Sequence, residues 1–197
     1  MDQIVVFFDG ACEPINPGGV GTYAFVVRGA EAYSEAGIAC EPGPHCTNNV
    51  AEYTGLVKAL RWLRARGIKG AVVKGDSQLV IRQVQGIYAV RSERLKPLYE
   101  EARALAKEVG AVLMWIPREK NLADELTKAA YISYLDTRPD LVEAFRRYFA
   151  GDDLLAEVEA LGLKPYKYMS RIDAMRLIRR AAARRRAAPR GHETEGF

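Results

Sequence analysis

The chain opens with QIVVFFD (residues 3–9), a nearly unbroken apolar run closing on an Asp-Gly turn signal, which predicts a buried strand. GACEPINPGG, dense in Gly and Pro, reads as loop. Two further runs, 21–28 and 31–40, are separated by Gly29-Ala30 and predict antiparallel neighbours. After a Pro/Gly loop over 41–46 the period lengthens. TNNVAEYTGLVKALRWL is a helix with Thr47 or Asn48 as N-cap and Gly67 as its stop. Glu52 falls on the apolar stripe of that helix, in phase with Leu56, Leu60 and Leu63, while Lys58 and Arg61 take the other side. A carboxylate facing a core costs several kcal/mol or more unless it is paired, protonated or bound to a cation.

The remaining pattern predicts strands at 70–74 and 111–116, helices at 77–85 and 92–109, and a helix capped by Asn121 that runs to Leu135. The order β-β-β-α-β-α-α-β-α implies an α/β fold with a mixed five-stranded sheet and helices on its faces. Residues 1–137 form this domain. Residues 138–189 read as a helical, basic extension with helices at 139–149, 152–161 and 170–186, and residues 190–197 as a disordered tail. In the last helix Arg176, Arg180 and Arg184 align on one face.

Charge sharpens this division. The net charge is +4, yet residues 164–190 hold ten of the 29 basic residues and one of the 25 acids, so the rest of the chain is acidic. Hydrophobic residues at 49% and charged residues at 27% are ordinary for a soluble domain, and no apolar run is long enough to span a membrane. Cys12, Cys40 and Cys46 are odd in number and lack zinc-site spacing. Reduced thiols in a cytoplasm are the favoured reading, with one disulfide left open. Only four Asn occur (Asn16, Asn48, Asn49, Asn121) amid abundant Arg, Glu and Ala, which points to a thermophilic source.

Three acids stand out beside Glu52. Asp9 and Asp76 end apolar strands, and Asp124 lies in a first helical turn on one stripe with Tyr131 and Leu135. Singly, Asp9 is a turn former, Asp76 a helix cap and Asp124 a favourable charge at a helix N-terminus. Together they suggest a site. Two carboxylates about 4 Å apart repel by roughly 4 kcal/mol at an effective dielectric near 20, and no Lys or Arg accompanies them within the motifs. Without a His/Cys ligand set, an all-oxygen cluster favours Mg²⁺ or Mn²⁺ over zinc. Two such ions suit in-line displacement at phosphorus.

The set FFDGACEPINPGG, CTNNVAEYTGL, KGDSQLVIRQ and WIPREKNLADELTKAAY resembles ribonuclease HI, the type 1 ribonuclease H family, and most of all its short archaeal-type members. The resemblance implies that Asp9, Glu52, Asp76 and Asp124 are catalytic and bind two ions. It implies hydrolysis of the RNA strand of RNA/DNA hybrids, with 3′-hydroxyl and 5′-phosphate ends. One ion would hold the attacking water and the other would stabilise the leaving 3′ oxygen. Asn16, Asn48, Asn49 and Gln78 match the family's substrate-contact positions, and amides suit a 2′-hydroxyl that both donates and accepts. Backbone near Gly10 is expected to approach the duplex.

Two departures qualify the likeness. Many bacterial members carry a loop His in GHxGN; here the loop is PREKN, with Arg118 or Glu119 as the substitutes on offer, and neither His45 nor His192 replaces it. The basic, Trp-rich handle of some members has no room in GIYAVRSERLKP. Arginines 176, 180 and 184 are then candidates for gripping a nucleic-acid backbone, a protein partner for the arm being the other reading. Other readings of the whole are the same fold acting on double-stranded RNA or a DNA junction, or a non-catalytic hybrid-binding module. A related 3′–5′ exonuclease would need an acid where Ala11 stands.

Overall fold

The opening apolar run becomes β1 (Val5–Glu13), the middle strand of a five-stranded sheet in the computed structural model, which describes residues 3–187. β2 (Val20–Arg28) and β3 (Tyr33–Cys40) continue from it as an antiparallel meander. β4 (Val72–Gly75) and β5 (Val112–Trp115) lie on its other side and run parallel to it, giving the order β3-β2-β1-β4-β5. The mixed sheet follows the pattern, with one correction. β1 does not end at Asp9: Gly10 to Glu13, expected as loop, pair with Tyr23 to Val20 of β2. That ladder takes up their backbone groups and buries Cys12, which outweighs the turn tendency of Gly and Pro nearby.

Helix α1 (Asn48–Ala65) starts at Thr47, whose hydroxyl accepts from the Val50 N–H at 3.2 Å. Its stripe of Leu56, Leu60 and Leu63 is fully buried against Val6, Phe8, Phe25 and Val27 of the sheet. Each such side chain contributes about 1.5–3 kcal/mol. α2 (Gln78–Val84), capped by Ser77 rather than Asp76, and α3 (Lys96–Val109) join the same core through Val80, Ile81, Leu105 and Val109. α3 begins later than the pattern predicts because Pro97 belongs in a first turn, and residues 92–95 form a turn ahead of it. α4 (Asp124–Asp136) covers the opposite face, around Ala24, Val26 and Ala123.

Two glycines set how closely α1 lies on β1. A Cβ on Gly10 would sit 2.1 Å from the Ala51 carbonyl carbon and the Glu52 nitrogen; one on Gly55 would sit 2.5 Å from the Asp9 carbonyl oxygen. Strand and helix therefore touch backbone to backbone. The absence of a side chain at Gly10 serves this contact.

A second compact unit begins after Val142, within α5 (Pro139–Phe145), so the boundary falls a little beyond the expected 137. It contains a 3₁₀ turn at Arg146–Tyr148, α6 (Asp152–Ala160) and α7 (Arg171–Ala187), close to the expected helices. Val158, Met169 and Ala174 form its own small core with Leu154, Leu155, Leu177 and Ile178. The expected tail, 190–197, lies outside the described residues, as does His192.

The expectation of three reduced thiols is overturned. Cys40 and Cys46 form a disulfide, because the 41–46 loop returns the end of β3 to the start of α1. Cys12 is free and buried, its sulfur 4.0 Å from that of Cys46. The thiol argument for a cytoplasmic setting thereby loses its basis. No helix among the described residues is long and apolar enough to cross a membrane.

Candidate active site

β1 and β4 pair only from Val5↔Val72 to Phe7↔Lys74, so the ladder on the parallel side of β1 stops at Phe7. Crevices at the carboxyl ends of parallel strands are where such sheets bind ligands. Asp9 lies two residues beyond Phe7 and is buried. Asp76 follows the last residue of β4, held there as its carbonyl accepts from Trp115 Nε1 at 3.1 Å. Glu52 enters from α1, brought to Asp9 by the contact at Gly10 and Gly55. One carboxylate oxygen from each of Asp9, Glu52 and Asp76 lies within 4.8 Å of the other two.

Electrostatics mark this trio as unfinished. Burial first, then the charges of Asp76 and Asp124, raise Asp9 from 3.8 to about 8, against a smaller pull from Thr127 and Arg118. Glu52 is pushed well above its ordinary value by burial and by Asp9 and Asp76. Its Oε2 is buried with no hydrogen-bond partner. An unsatisfied buried oxygen facing two other carboxylates is what a cation would complete. The donors are all carboxylate oxygens, which suits a hard divalent ion.

Asp124 stands outside the trio, although its charge is felt at Asp9. Its oxygens are held by Arg118 Nε at 2.9 Å and Lys128 Nζ at 2.7 Å. The expectation that no basic residue accompanies the acids therefore fails. Lys128 lies one turn on in α4, and Arg118 is placed by a 3₁₀ turn (Arg118–Lys120) that precedes the helix. Burial alone would lower the Lys128 pKa; its bonds to Asp124 and Glu125 outweigh that and raise it.

Two residues missed in the sequence tie the cluster together. Thr127 Oγ1 lies 2.9 Å from Asp9 Oδ2 and 2.8 Å from the Asp124 carbonyl, so its one proton serves either. Asn121 is buried. Its Nδ2 donates to the Phe8 carbonyl and to Asp76 Oδ1, both at 2.9 Å, while its Oδ1 accepts from the Ala123 N–H at 3.2 Å. The sequence reads it as the cap of α4, a place that Ala123 takes instead. The scarcity of Asn in the chain was the one signal that could have singled it out.

The family model described as "Reverse transcriptase-like" matches residues 7–130. The solved N-terminal RNase H domain of Rv2228c from Mycobacterium tuberculosis is 32% identical, covers 70% of this chain and 99% of its own, and superposes with a TM-score of 0.58. This chain belongs to the type 1 ribonuclease H family. LC11-RNase H1, solved in complex with an RNA/DNA hybrid, is 30% identical over 68% of this chain and 99% of its own, with a TM-score of 0.60. Ribonuclease HI of Halobacterium salinarum is 33% identical over 106 residues, 52% of this chain and 50% of that protein. The whole Rv2228c, named a bifunctional protein, is 35% identical over 130 residues. That is 65% of this chain but 35% of the relative, so the likeness spans about a third of that protein's length. Bacterial and archaeal relatives thus stand side by side.

Two of the amides are bonded together at the start of α1. The Cys12 N–H donates to Asn48 Oδ1 at 2.6 Å, and the Asn48 N–H to Asn16 Oδ1 at 3.0 Å. These bonds commit the Asn48 carbonyl and leave its NH₂ as the donor for a ligand. Asn49 follows in the first turn of α1, and Gln78 is exposed at the start of α2. Arg118 is engaged with Asp124, and His45 is exposed in the loop before Thr47. Arg176, Arg180 and Arg184 belong to the other unit.

Proposed function

We propose that this chain is an endonuclease that hydrolyses the RNA strand of RNA/DNA hybrids with two divalent ions, Mg²⁺ or Mn²⁺, leaving 3′-hydroxyl and 5′-phosphate ends. The observation that carries this is the Asp9–Glu52–Asp76 trio with its unpartnered buried Glu52 oxygen. The hybrid bound to LC11-RNase H1 supports the substrate class. The intact set of acids speaks for catalysis rather than passive binding.

Asp9, Glu52 and Asp76 would hold one ion, and Asp124, now bonded to Arg118 and Lys128, would be the further carboxylate available for a second. Bound ions supply Lewis acidity at the scissile phosphate and lower the pKa of an attacking water. Asn121 and Thr127 fix Asp76 and Asp9, so little reorganisation is needed when charge develops. Asn16, Asn48, Asn49 and Gln78 offer the donors and acceptors that a 2′-hydroxyl needs, and their neutral character spares the nearby acids a competing charge.

End-labelled hybrid, duplex RNA, duplex DNA and single strands, each incubated with Mg²⁺, Mn²⁺ or chelator, test the reading. Internal cuts in the RNA of the hybrid are expected only with metal, and Glu52→Gln and Asp124→Asn are expected to nearly abolish them. Cleavage at the parental rate by either variant, or cleavage in chelator, removes the metal mechanism. Preferential cutting of duplex RNA would replace the substrate.

Arg118 and Lys128 compete with cations for Asp124. Lys128→Met is therefore expected to tighten Mn²⁺ binding several-fold by calorimetry, since a positive charge leaves a site that cations enter. Weaker binding would show that Lys128 organises the site instead of guarding it.

A further inference from the structure

We infer that α7 is a second nucleic-acid contact, an arginine face that grips the phosphate backbone of a duplex without reading its sequence. The inference deepens the nuclease reading, on which it rests for the choice of a hybrid as the duplex.

Every basic residue of α7 is Arg: 171, 176, 179, 180, 184, 185 and 186. Its single acid, Asp173, is withdrawn into the core of the unit, where it accepts from the Tyr166 hydroxyl at 2.6 Å. Ala174, Leu177 and Ile178 make the inward stripe. At 100° per residue Arg176, Arg179, Arg180 and Arg186 fall on the opposite side, and all four are exposed. The outermost face is thus 176/179/180, a rotation from the expected 176/180/184. Among the described residues the exposed acids of the unit are Glu143 on α5 and Asp152, Asp153, Glu157 and Glu159 on α6.

The outer side of this helix carries arginines with no acid among them. On the first unit, Lys58, Arg61, Arg64, Arg66, Lys96 and Arg138 are matched to an acid at 2.6–3.8 Å, while other basic residues such as Arg28, Lys74 and Lys107 stand singly and scattered. Among the described residues Arg176, Arg179, Arg180, Arg185 and Arg186 have no such partner. Unmatched guanidinium groups on one helix face repel one another and are stabilised by an anion array of similar pitch. The run from Arg176 to Arg186 covers about 15 Å, over which a duplex presents roughly nine phosphates. A membrane surface fits less well, because Ala174, Leu177 and Ile178 are spent on the core of the unit and only Ile172 and Met175 remain as large exposed apolar residues.

The test measures binding of the full chain to a fluorescent hybrid in chelator, across a range of salt concentrations. Changing Arg176, Arg179 and Arg180 together to Gln is expected to flatten the slope of log K against log[salt] by about 2–3, at about 0.9 per lost phosphate contact. Affinity at low salt should fall tenfold or more, equally for two hybrids of unrelated sequence. The matching triple change to Lys should keep the parental slope. If the Gln triple unfolds, the single variants give the answer, each flattening the slope by about 0.9. Coincident slopes for the parent and the Gln variants overturn the inference, as does loss confined to one hybrid sequence. Gln-sensitive capture by phosphatidylserine vesicles, with hybrid binding unchanged, would do the same. Cleavage by the parent protein is scored separately. A parent that binds with the steep slope but cuts nothing sinks the nuclease reading and leaves this one standing.

Discussion

Asp9→Asn is expected to abolish cleavage and, in the same protein stripped of metal, to raise its melting temperature at pH 8. The loss of activity follows from Asp9 being the acid shared by the trio and by Asp124. Removing its charge weakens both proposed ion sites, and a drop on the order of 10³-fold or more is expected. The gain in stability follows from burial beside two other acids, which raises Asp9 from 3.8 to about 8. An acid whose pKa is higher in the folded than in the unfolded state holds a proton on folding. Between about pH 4 and 8 the native protein binds more protons than the unfolded chain, so stability falls as pH rises through that window. Each pH unit there is worth up to about 1.4 kcal/mol, a few kcal/mol in all. Melting curves in chelator at pH 5 and pH 8 should show the parent losing stability and the Asn variant losing much less. A parent whose stability is flat or rising over that range would mean that Asp9 is not buried as a strained acid.

Gly10→Ala carries the second large effect. The added methyl would lie 2.1 Å from backbone atoms of Ala51 and Glu52, which cannot rotate away as a side chain does. Helix α1 must retreat by about 1 Å or more, at roughly 1–3 kcal/mol of overpacking. Glu52 retreats with it. Misplacement on that scale costs about 10²-fold in rate even when every catalytic group is present. The expected result is a folded protein with a lower melting temperature, weakened Mn²⁺ binding and cleavage reduced by about that factor. Retention of parental metal affinity would show that α1 and β1 have slack at this contact.

How legible the site was depended on distance along the chain. Glu52 was readable because helical phase is local: the same periodicity that placed Leu56, Leu60 and Leu63 inward placed the carboxylate there. The five strands were readable for the same reason, and the mixed sheet from the order of elements along the chain. Asp9 was found, but its setting was misjudged, since the turn tendency of the residues after it gave way to pairing with β2. Arg118 and Lys128 were in plain view within the motifs, yet their bond to Asp124 depends on a 3₁₀ turn that periodicity does not foretell. Thr127 reaches a partner 118 residues away, and the disulfide depends on where a Pro/Gly loop returns the chain. Such contacts are written in three dimensions only.

Asn121 has a consequence for when the site is assembled. Its amide joins Phe8, near the start of the chain, to Asp76, and the link to Phe8 closes 113 residues. During synthesis, Asp9, Glu52 and Asp76 all emerge from the ribosome before the clasp that orders them, and before Asp124 and Thr127. The cluster is therefore complete only once α4 has been delivered.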